Sequence, residues 1–273
     1  MRAASENLVP LTLELGGKSP VIVSDSSNID ITARRVMFNK TLNAGQICLA
    51  PDYVYVHETE KDNFVEACKD QVNDFYSDLK YNPDYTSVIN EKHYDRLNGL
   101  LSDAKDHGAE VVEINPANED FSQQESHKIP PTLVLNPTDE MQIMKEEIFG
   151  PLLPIKTYKD INEPINYINK NDKPCLLYYF GNNKNEEAKV VNSTTSGGVT
   201  VNDIMGHIQQ NELGFGGVGP SGMGKYDGFD GFMNFSNNKP IYKQIGFGLD
   251  KLLDAIRPPY KGSIEDVLKK LLK

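Results

Sequence analysis

Paired cysteines and clustered metal ligands are missing from this sequence of 273 residues. Its three cysteines, Cys48, Cys68 and Cys175, lie far apart and form no C-x-x-C or Cys/His ligand pattern. Such spacing predicts neither a disulfide framework nor a structural zinc site, and it is typical of a reducing compartment. The five histidines are scattered as well, so we expect no bound metal.

Long apolar runs are also missing. No stretch approaches the roughly eighteen consecutive apolar residues that a membrane-spanning helix needs. Residues 1–7 lack the apolar core of a signal peptide. We therefore expect a cytoplasmic chain with no membrane span.

Positive charge is in deficit. The sequence has 28 Lys and Arg residues against 39 Asp and Glu residues, which gives a formal net charge of -11. A protein that binds nucleic acid needs clustered basic side chains to contact phosphates, and this sequence shows none. The composition argues against a nucleic-acid partner and favours a small-molecule partner.

What the sequence does contain is a regular alternation of strand and helix patterns. Residues 21–23 predict a buried strand, and the capping candidates at 25–28 are followed by apolar residues at helical spacing. A second amphipathic stripe over residues 64–79 places Cys68 in the core rather than in a reactive site. The alternation predicts an α/β fold with a largely parallel sheet flanked by helices. Further strands are predicted at residues 53–56, 110–114, 132–135, 152–157, 176–180 and 199–201.

Two stretches offer reactive groups. Residues 45–48, Gly-Gln-Ile-Cys, put the thiol of Cys48 just past a helix and among small and polar neighbours. Residues 9–13 predict a short strand that presents Glu14 before a Gly-Gly turn. An activated thiol can serve as nucleophile and a carboxylate at a strand end as general base. The alternative is a buried, inert cysteine and a solvated glutamate.

Four motifs, in order along the chain, resemble the aldehyde dehydrogenase superfamily. Two shorter stretches, residues 48–54 and 257–260, resemble its class 3 branch, particularly the coniferyl aldehyde dehydrogenase-like members. The resemblance covers about residues 5–262 and corresponds to the catalytic-domain portion of such an enzyme. The four motifs are ELGGKSP at 14–20, GQIC at 45–48, KEEIFGP at 145–151 and FGGVGPSGMG at 215–224.

The resemblance implies a covalent mechanism. Cys48 would add to an aldehyde carbonyl, with its own backbone N–H helping to hold the oxyanion. Hydride would pass to NAD or NADP, and Glu14 would activate the water that hydrolyses the thioester. Glu147 would hydrogen-bond the nicotinamide ribose, while Phe149 would pack beside the nicotinamide and Gly16 would also contact the cofactor. Without the resemblance, Glu147 and Phe149 would be interpreted as a charged loop before a strand.

Three further residues resemble the lining of the substrate passage. Phe215 matches a family phenylalanine there, and Asn202 and His207 match residues near the active site and the substrate mouth. Asn202 is explained equally well as a turn residue at a strand end, and His207 as a surface or locally hydrogen-bonded histidine. Residues 214–219 also satisfy G-x-G-x-x-G, but no apolar strand precedes them and Pro220 follows, so we do not interpret them as a dinucleotide-binding turn.

The resemblance also predicts the domain organisation. Residues 1–15 would be a remnant of the cofactor-binding domain, 16–235 the catalytic domain, and 236–273 a tail with oligomer or cofactor-domain contacts and a terminal helix at 264–272. In the family, the pyrophosphate loop and one oxyanion-hole donor precede the Glu14 motif, so we expect this chain to be impaired alone. Two functions stay open. One is an aldehyde dehydrogenase that works as a homo-oligomer or with a complementary N-terminal chain; the other is an inactive fragment that binds a full-length or complementary chain.

Overall fold

The structure is a computed structural model that describes residues 1–244, 257–258, 269 and 272. The chain divides into two compact units, Met1–Phe235 and Ser236–Lys273. The helix predicted at 264–272 falls almost wholly outside the described residues, as does the second half of the class 3 stretch at 257–260. The roles predicted for the three domains stay predictions.

Helices and strands alternate along the first unit. The helices are α1 (Arg2–Asn7), α2 (Ile29–Thr41), α3 (Lys61–Phe75), α4 (Glu91–Asp106), α5 (Gln142–Lys145), α6 (Asn162–Lys170), α7 (Lys184–Ser193) and α8 (Gly228–Asn234). The strands are β1 (Leu13–Glu14), β2 (Pro20–Val23), β3 (Tyr53–His57), β4 (Glu110–Glu113), β5 (Thr132–Leu135), β6 (Leu152–Tyr158), β7 (Leu176–Phe180), β8 (Gly198–Val201) and β9 (Gly222–Met223). Short 3₁₀ turns occur at Leu42–Gly45, Glu58–Glu60 and Gly206–Gln209.

Seven of the strands form one sheet in the order β4-β5-β6-β3-β2-β7-β8. Neighbouring strands are parallel except for β4, which runs antiparallel to β5 at one edge. The predicted α/β fold with a largely parallel sheet is therefore confirmed. Strands β1 and β9 pair separately as an antiparallel ribbon, in which Glu14 faces Gly222.

Both faces of the large sheet are covered. Successive strand residues point to opposite faces, so Val21 and Val23 pack with α2 and α3 whereas Ile22 packs on the other face with α4, α5 and α6. This explains why β2 is apolar at every position rather than alternating. Cys68 lies in the first core and is 0% exposed, which confirms the prediction that it is a core residue.

The strand predicted at residues 9–13 is wrong in extent. Only Leu13–Glu14 is a strand, because β9, its pairing partner, is itself only two residues long. Pro10 has no N–H to donate to a ladder. Three short helices, α1, α5 and α8, were not predicted, since segments of four to seven residues are too short to show a helical period. None of the helices in the described part of the chain is both long and apolar enough to cross a membrane.

Candidate active site

The loop between α2 and β3 presents Cys48 through a sharp turn. Asn43, Ala44 and Gly45 all have positive φ angles, of 51°, 52° and 71°. A Cβ on Gly45 would lie 2.4 Å from the carbonyl oxygen of Gly150, so only glycine fits at this position. The turn ends α2 and places Cys48 just ahead of β3, at the amino end of the parallel strands.

The side-chain amide of Gln46 stabilises this turn through hydrogen bonds to backbone groups. Its side-chain Nε2 donates to the carbonyl oxygens of Asn43 at 2.9 Å and Ser87 at 3.0 Å, and its Oε1 accepts from the N–H of Ile89 at 2.9 Å. The amide is therefore fully used in holding the loop. Gln46 acts as a brace for Cys48, and its side chain is not free to contact a substrate.

Cys48 and Glu14 meet directly. The Cys48 Sγ donates to the Glu14 Oε1 at 3.1 Å, and the Tyr226 hydroxyl donates to the Glu14 Oε2 at 3.0 Å. Cys48 is half-buried and Glu14 is exposed, so both can be reached from solvent. The structure thus brings together the two groups singled out by sequence and adds a phenol that the sequence analysis missed.

The environment keeps the Cys48 thiol protonated. Burial, followed by the hydrogen bond and the negative charge of Glu14, raises the pKa of Cys48 from 9.0 to about 12. Only the thiolate is a strong nucleophile. The thiol must therefore lose its proton as it reacts, and Glu14 is positioned to accept that proton.

The third motif, KEEIFGP at residues 145–151, lies next to the segment that follows Glu14. Glu147 lies against Gly16, because a Cβ on Gly16 would stand 2.5 Å from the Glu147 Oε2. Burial, and next the charge of Asp52, raises the pKa of Glu147 to about 7, while the N–H of Gly17 opposes this shift. Phe149 has a φ of 48° and is 41% exposed. Gly16 and Glu147 therefore line one cleft next to Glu14, whereas Phe149 is not among the residues that line it.

That cleft has a volume of about 530 Å³. Its lining combines glycine backbone, which allows close approach, with a carboxylate that can accept hydrogen bonds from the hydroxyl groups of a ligand. The cleft is also lined by Pro220 and Ser221 and by the lysines Lys145, Lys170 and Lys173. Residues 214–219 lie nearby but run into the two-residue strand β9 rather than a helix, so they offer no helix N-terminus to a phosphate.

The turn that carries Glu147 is held by two cations. The Nζ of Lys18 donates to the carbonyl oxygens of Ile143 and Glu146, both at 2.8 Å. Arg96 donates to the carbonyl oxygens of Glu147 and Ile148 from the other side. The sequence analysis missed both cations, since nothing local links Arg96 in α4 to this turn.

Phe215 and His207 pack behind Tyr226. The Phe215 ring is 2% exposed and meets the Tyr226 ring edge-on, with centroids 5.3 Å apart. The His207 ring lies 5.9 Å from Phe215, and its Nδ1 is 3.1 Å from the Thr200 hydroxyl. Burial lowers the pKa of His207, which favours the neutral form of the ring. The structure therefore favours the local hydrogen-bonding interpretation of His207 and places Phe215 as a support for Tyr226.

Asn202 does not join these residues. Its side chain accepts from the N–H of Gly181 at 2.8 Å and donates to the carbonyl of Gly181 at 3.0 Å, and its φ is 55°. It follows the carboxyl end of β8, whereas Cys48 precedes the amino end of β3, and these strands run parallel in one sheet. The geometry supports the turn interpretation of Asn202 rather than the substrate-lining role.

No group of three or more His, Cys, Asp and Glu side chains in the described ranges is arranged to hold a metal ion. The candidate site therefore consists of the Cys48 thiol, the Glu14 carboxylate and the Tyr226 phenol. It lies beside a cleft that is lined by a second carboxylate, that of Glu147.

Comparison with known proteins gives matches along most of the chain. A family model described as "Aldehyde dehydrogenase family" matches residues 1–241. A probable coniferyl aldehyde dehydrogenase of Caulobacter vibrioides is 53% identical over 268 residues, which are 98% of this chain and 55% of that protein. Aldehyde dehydrogenase family 3 member A2 of Rattus norvegicus is 41% identical over 242 residues, 88% of this chain and 48% of that protein.

Among solved structures, the substrate-bound state of Staphylococcus aureus AldH superimposes with a TM-score of 0.86 at 40% identity. The match covers 100% of this chain and 57% of that one. The chain thus spans about half the length of the curated relatives it matches.

Proposed function

The chain belongs to the aldehyde dehydrogenase family, and on that premise we propose that it carries the thiol and the base of an enzyme that oxidises an aldehyde to a carboxylic acid with NAD or NADP. The predicted resemblance to the superfamily, to its class 3 branch and to the coniferyl aldehyde dehydrogenase-like members is confirmed. The observation that carries the proposal is the 3.1 Å hydrogen bond from the Cys48 thiol to Glu14.

The first step is addition of Cys48 to the aldehyde. The thiol proton passes to the Glu14 Oε1 as the sulfur forms a bond to the carbonyl carbon, and the carbonyl oxygen becomes an oxyanion. The backbone N–H of Cys48 is one donor for that oxyanion. Tyr226 holds the second oxygen of Glu14, so the carboxylate keeps its orientation during the transfer.

Three residues near the thiol would hold the cofactor. Gly16, Glu147 and Phe149 would hold the nicotinamide end, with the Glu147 carboxylate accepting from a ribose hydroxyl. A nicotinamide cofactor, when bound, supplies the hydride acceptor for the oxidation. In the adduct on Cys48, the carbon–oxygen single bond becomes a carbonyl double bond, so that Cys48 carries a thioester. Glu14 still carries the proton that it accepted from the thiol.

Hydrolysis regenerates the thiol. Glu14 is exposed, so it can release its proton to solvent and become a base again. It then accepts a proton from a water molecule as the water oxygen attacks the thioester carbon. The carbon–sulfur bond breaks, the sulfur takes the proton back from Glu14, and a carboxylic acid leaves.

The proposal is tested by following NADH or NADPH absorbance with coniferyl aldehyde as substrate. The chain is assayed alone and mixed with the portion of the Caulobacter vibrioides relative that this chain does not match. We expect turnover in the mixture, and its loss in Cys48→Ala and Glu14→Gln. Glu66→Gln, which changes an exposed helix carboxylate in the same way, is the matched control. Turnover that survives Cys48→Ala, or no turnover in any combination, would refute the proposal.

A second candidate function is binding to a full-length or complementary chain without catalysis. It is favoured by the aromatic residues Phe229, Phe232 and Phe235 at α8, which are 67% to 72% exposed, since large exposed apolar side chains often mark interaction surfaces. Light scattering of the same mixture tests it. A complex that forms equally well with Cys48→Ala and shows no turnover would support this function over the first, and two separate species would refute it.

A further inference from the structure

We propose that Lys40 is a positioning residue of this site, whose buried ammonium group holds the segment after Cys48 and, through Asp52, the turn that carries Glu147. The inference rests on the proposed function only for what Glu147 does. Lys40 touches neither the thiol nor the cleft, and no part of the reaction scheme above uses it.

Lys40 is buried at the end of α2. The residue is 1% exposed, and its Nζ donates to the carbonyl oxygen of Pro51 at 2.8 Å. An ammonium group without water is strongly unfavourable unless an anion and hydrogen-bond acceptors compensate for it. A methionine or leucine could fill the same space without that cost, so the charge itself calls for an explanation.

The anion with the largest charge effect on Lys40 is Asp52, which also connects three parts of the site. This residue is 3% exposed. Its Oδ1 accepts from the N–H of Ile148 at 2.8 Å, its Oδ2 is paired with Lys18, and its own N–H donates to the carbonyl of Ser19 at 2.9 Å. Asp52 therefore ties the segment after Cys48 both to the segment after Glu14 and to the turn that carries Glu147.

The Asp52 carboxylate acts on two lysines, Lys18 and Lys40. Glu147 is the other carboxylate whose charge acts on Lys40. The charged groups that act on Glu147 are Asp52, Lys18 and Lys40, of which Asp52 raises its pKa and the two lysines lower it. In turn, burial lowers the pKa of Lys40 to about 8, while the charge of Asp52 opposes that shift. The four side chains form one charge network, and Lys40 is its most deeply buried cation.

This arrangement gives Lys40 an effect that a merely space-filling residue would lack. Removing its charge takes away one influence that favours the ionised form of Glu147. The Glu147 carboxylate would then hold its proton to higher pH, and less of it would be available at neutral pH as an acceptor for a ribose hydroxyl. The hydrogen bond to Pro51 is a separate contribution, which positions the backbone after Cys48.

The experiment is a pH titration of the Glu147 side-chain carbon by NMR in the whole chain, with the resonance assigned from Glu147→Gln. Lys40→Met removes the charge and the donor, Lys40→Gln removes the charge but keeps a donor for Pro51, and Lys40→Arg keeps both. We expect the Glu147 midpoint to rise in the Met and Gln variants, by less than the roughly one pH unit that an opposite charge in direct contact produces, because Lys40 has the weaker effect of the two lysines on Glu147. The midpoint should return to the parent value in Lys40→Arg. Lys105→Met, at an exposed lysine of α4, is the matched control and should leave the midpoint unchanged.

Two results would overturn the inference. One is a Glu147 midpoint that is the same in Lys40→Gln as in the parent. The other is a Lys40→Arg variant that behaves like Lys40→Gln. If Lys40→Met does not fold, Lys40→Gln still decides the question. Because the titration needs neither cofactor nor substrate, a failed turnover assay would leave its outcome intact.

Discussion

The protonated state of the Cys48 thiol leads to a quantitative prediction for Glu14→Gln. Burial and Glu14 together raise the pKa of this thiol to about 12. The variant leaves the burial in place and removes the negative charge and the charged acceptor. Hydrogen bonds to charged groups contribute about 1.5 to 3 kcal/mol, and one pKa unit corresponds to about 1.36 kcal/mol. Since Glu14 is exposed to water, we take the lower end of that range, a fall of about one unit in the pKa of Cys48.

The assay is alkylation by iodoacetamide as a function of pH, with each cysteine peptide quantified by mass spectrometry. Below the thiol pKa the rate follows the thiolate fraction, so at alkaline pH Cys48 should react about tenfold faster in Glu14→Gln than in the parent. Cys68 and Cys175 are both 0% exposed and serve as internal controls that should stay unmodified. Glu66→Gln should match the parent. A Cys48 profile that is unchanged in Glu14→Gln, or moved to higher pH, would refute the reasoning.

Three other predictions concern stability and are measured by urea unfolding. Gly45→Ala should lower the free energy of unfolding by about 2 kcal/mol or more, because its Cβ would lie 2.4 Å from the Gly150 carbonyl oxygen in a backbone with positive φ. Gly99→Ala, in α4, has no atom within 4 Å of its new Cβ and should instead raise it by about 0.5 to 1 kcal/mol. Equal effects of the two substitutions would contradict the prediction. The folded-state pKa of Lys40 is depressed from 10.5 to about 8, so its own contribution to stability is complete above 10.5 and lost as pH falls through 8. Buried cysteines and tyrosines with raised pKa values titrate in the same range with the opposite sign, so the difference in stability between the parent and Lys40→Met isolates Lys40. That difference should move in the parent's favour by about 3 kcal/mol as pH rises from 8 to 10.5, and a constant difference would contradict the prediction. The folded-state pKa of Glu147 is raised from 4.5 to about 7, so its contribution to stability is complete below 4.5 and lost as pH rises through 7. Above pH 7, Glu147→Gln should therefore be more stable than the parent by about 1 kcal/mol, after allowance for the solvent exposure of Glu147. A variant that is less stable than the parent in that range would refute this prediction.

The sequence by itself determined the layered fold and singled out Cys48 and Glu14 as the candidate reacting groups. The strands predicted at residues 53–56 and 176–180 and the stripe that buries Cys68 are local patterns, because side-chain direction repeats every two residues in a strand and about every 3.6 residues in a helix. The four motifs likewise lie within a few residues each. Such features can be read without knowing what the segment packs against.

Only the tertiary structure decided which side chains meet. Tyr226 reaches Glu14 from 212 positions away in sequence, and no local pattern marks a single tyrosine as its partner. Asn202 shows the converse, since a strand-end asparagine could face a cleft or close a turn, and its two hydrogen bonds to Gly181 select the turn. From the sequence, Lys40 looks like an ordinary polar residue near a helix end; only the fold buries its ammonium group against the carbonyl of Pro51. In each case the deciding quantity is a distance between segments remote in the chain, which is set by how the sheet and helices pack and not by the residues on either side.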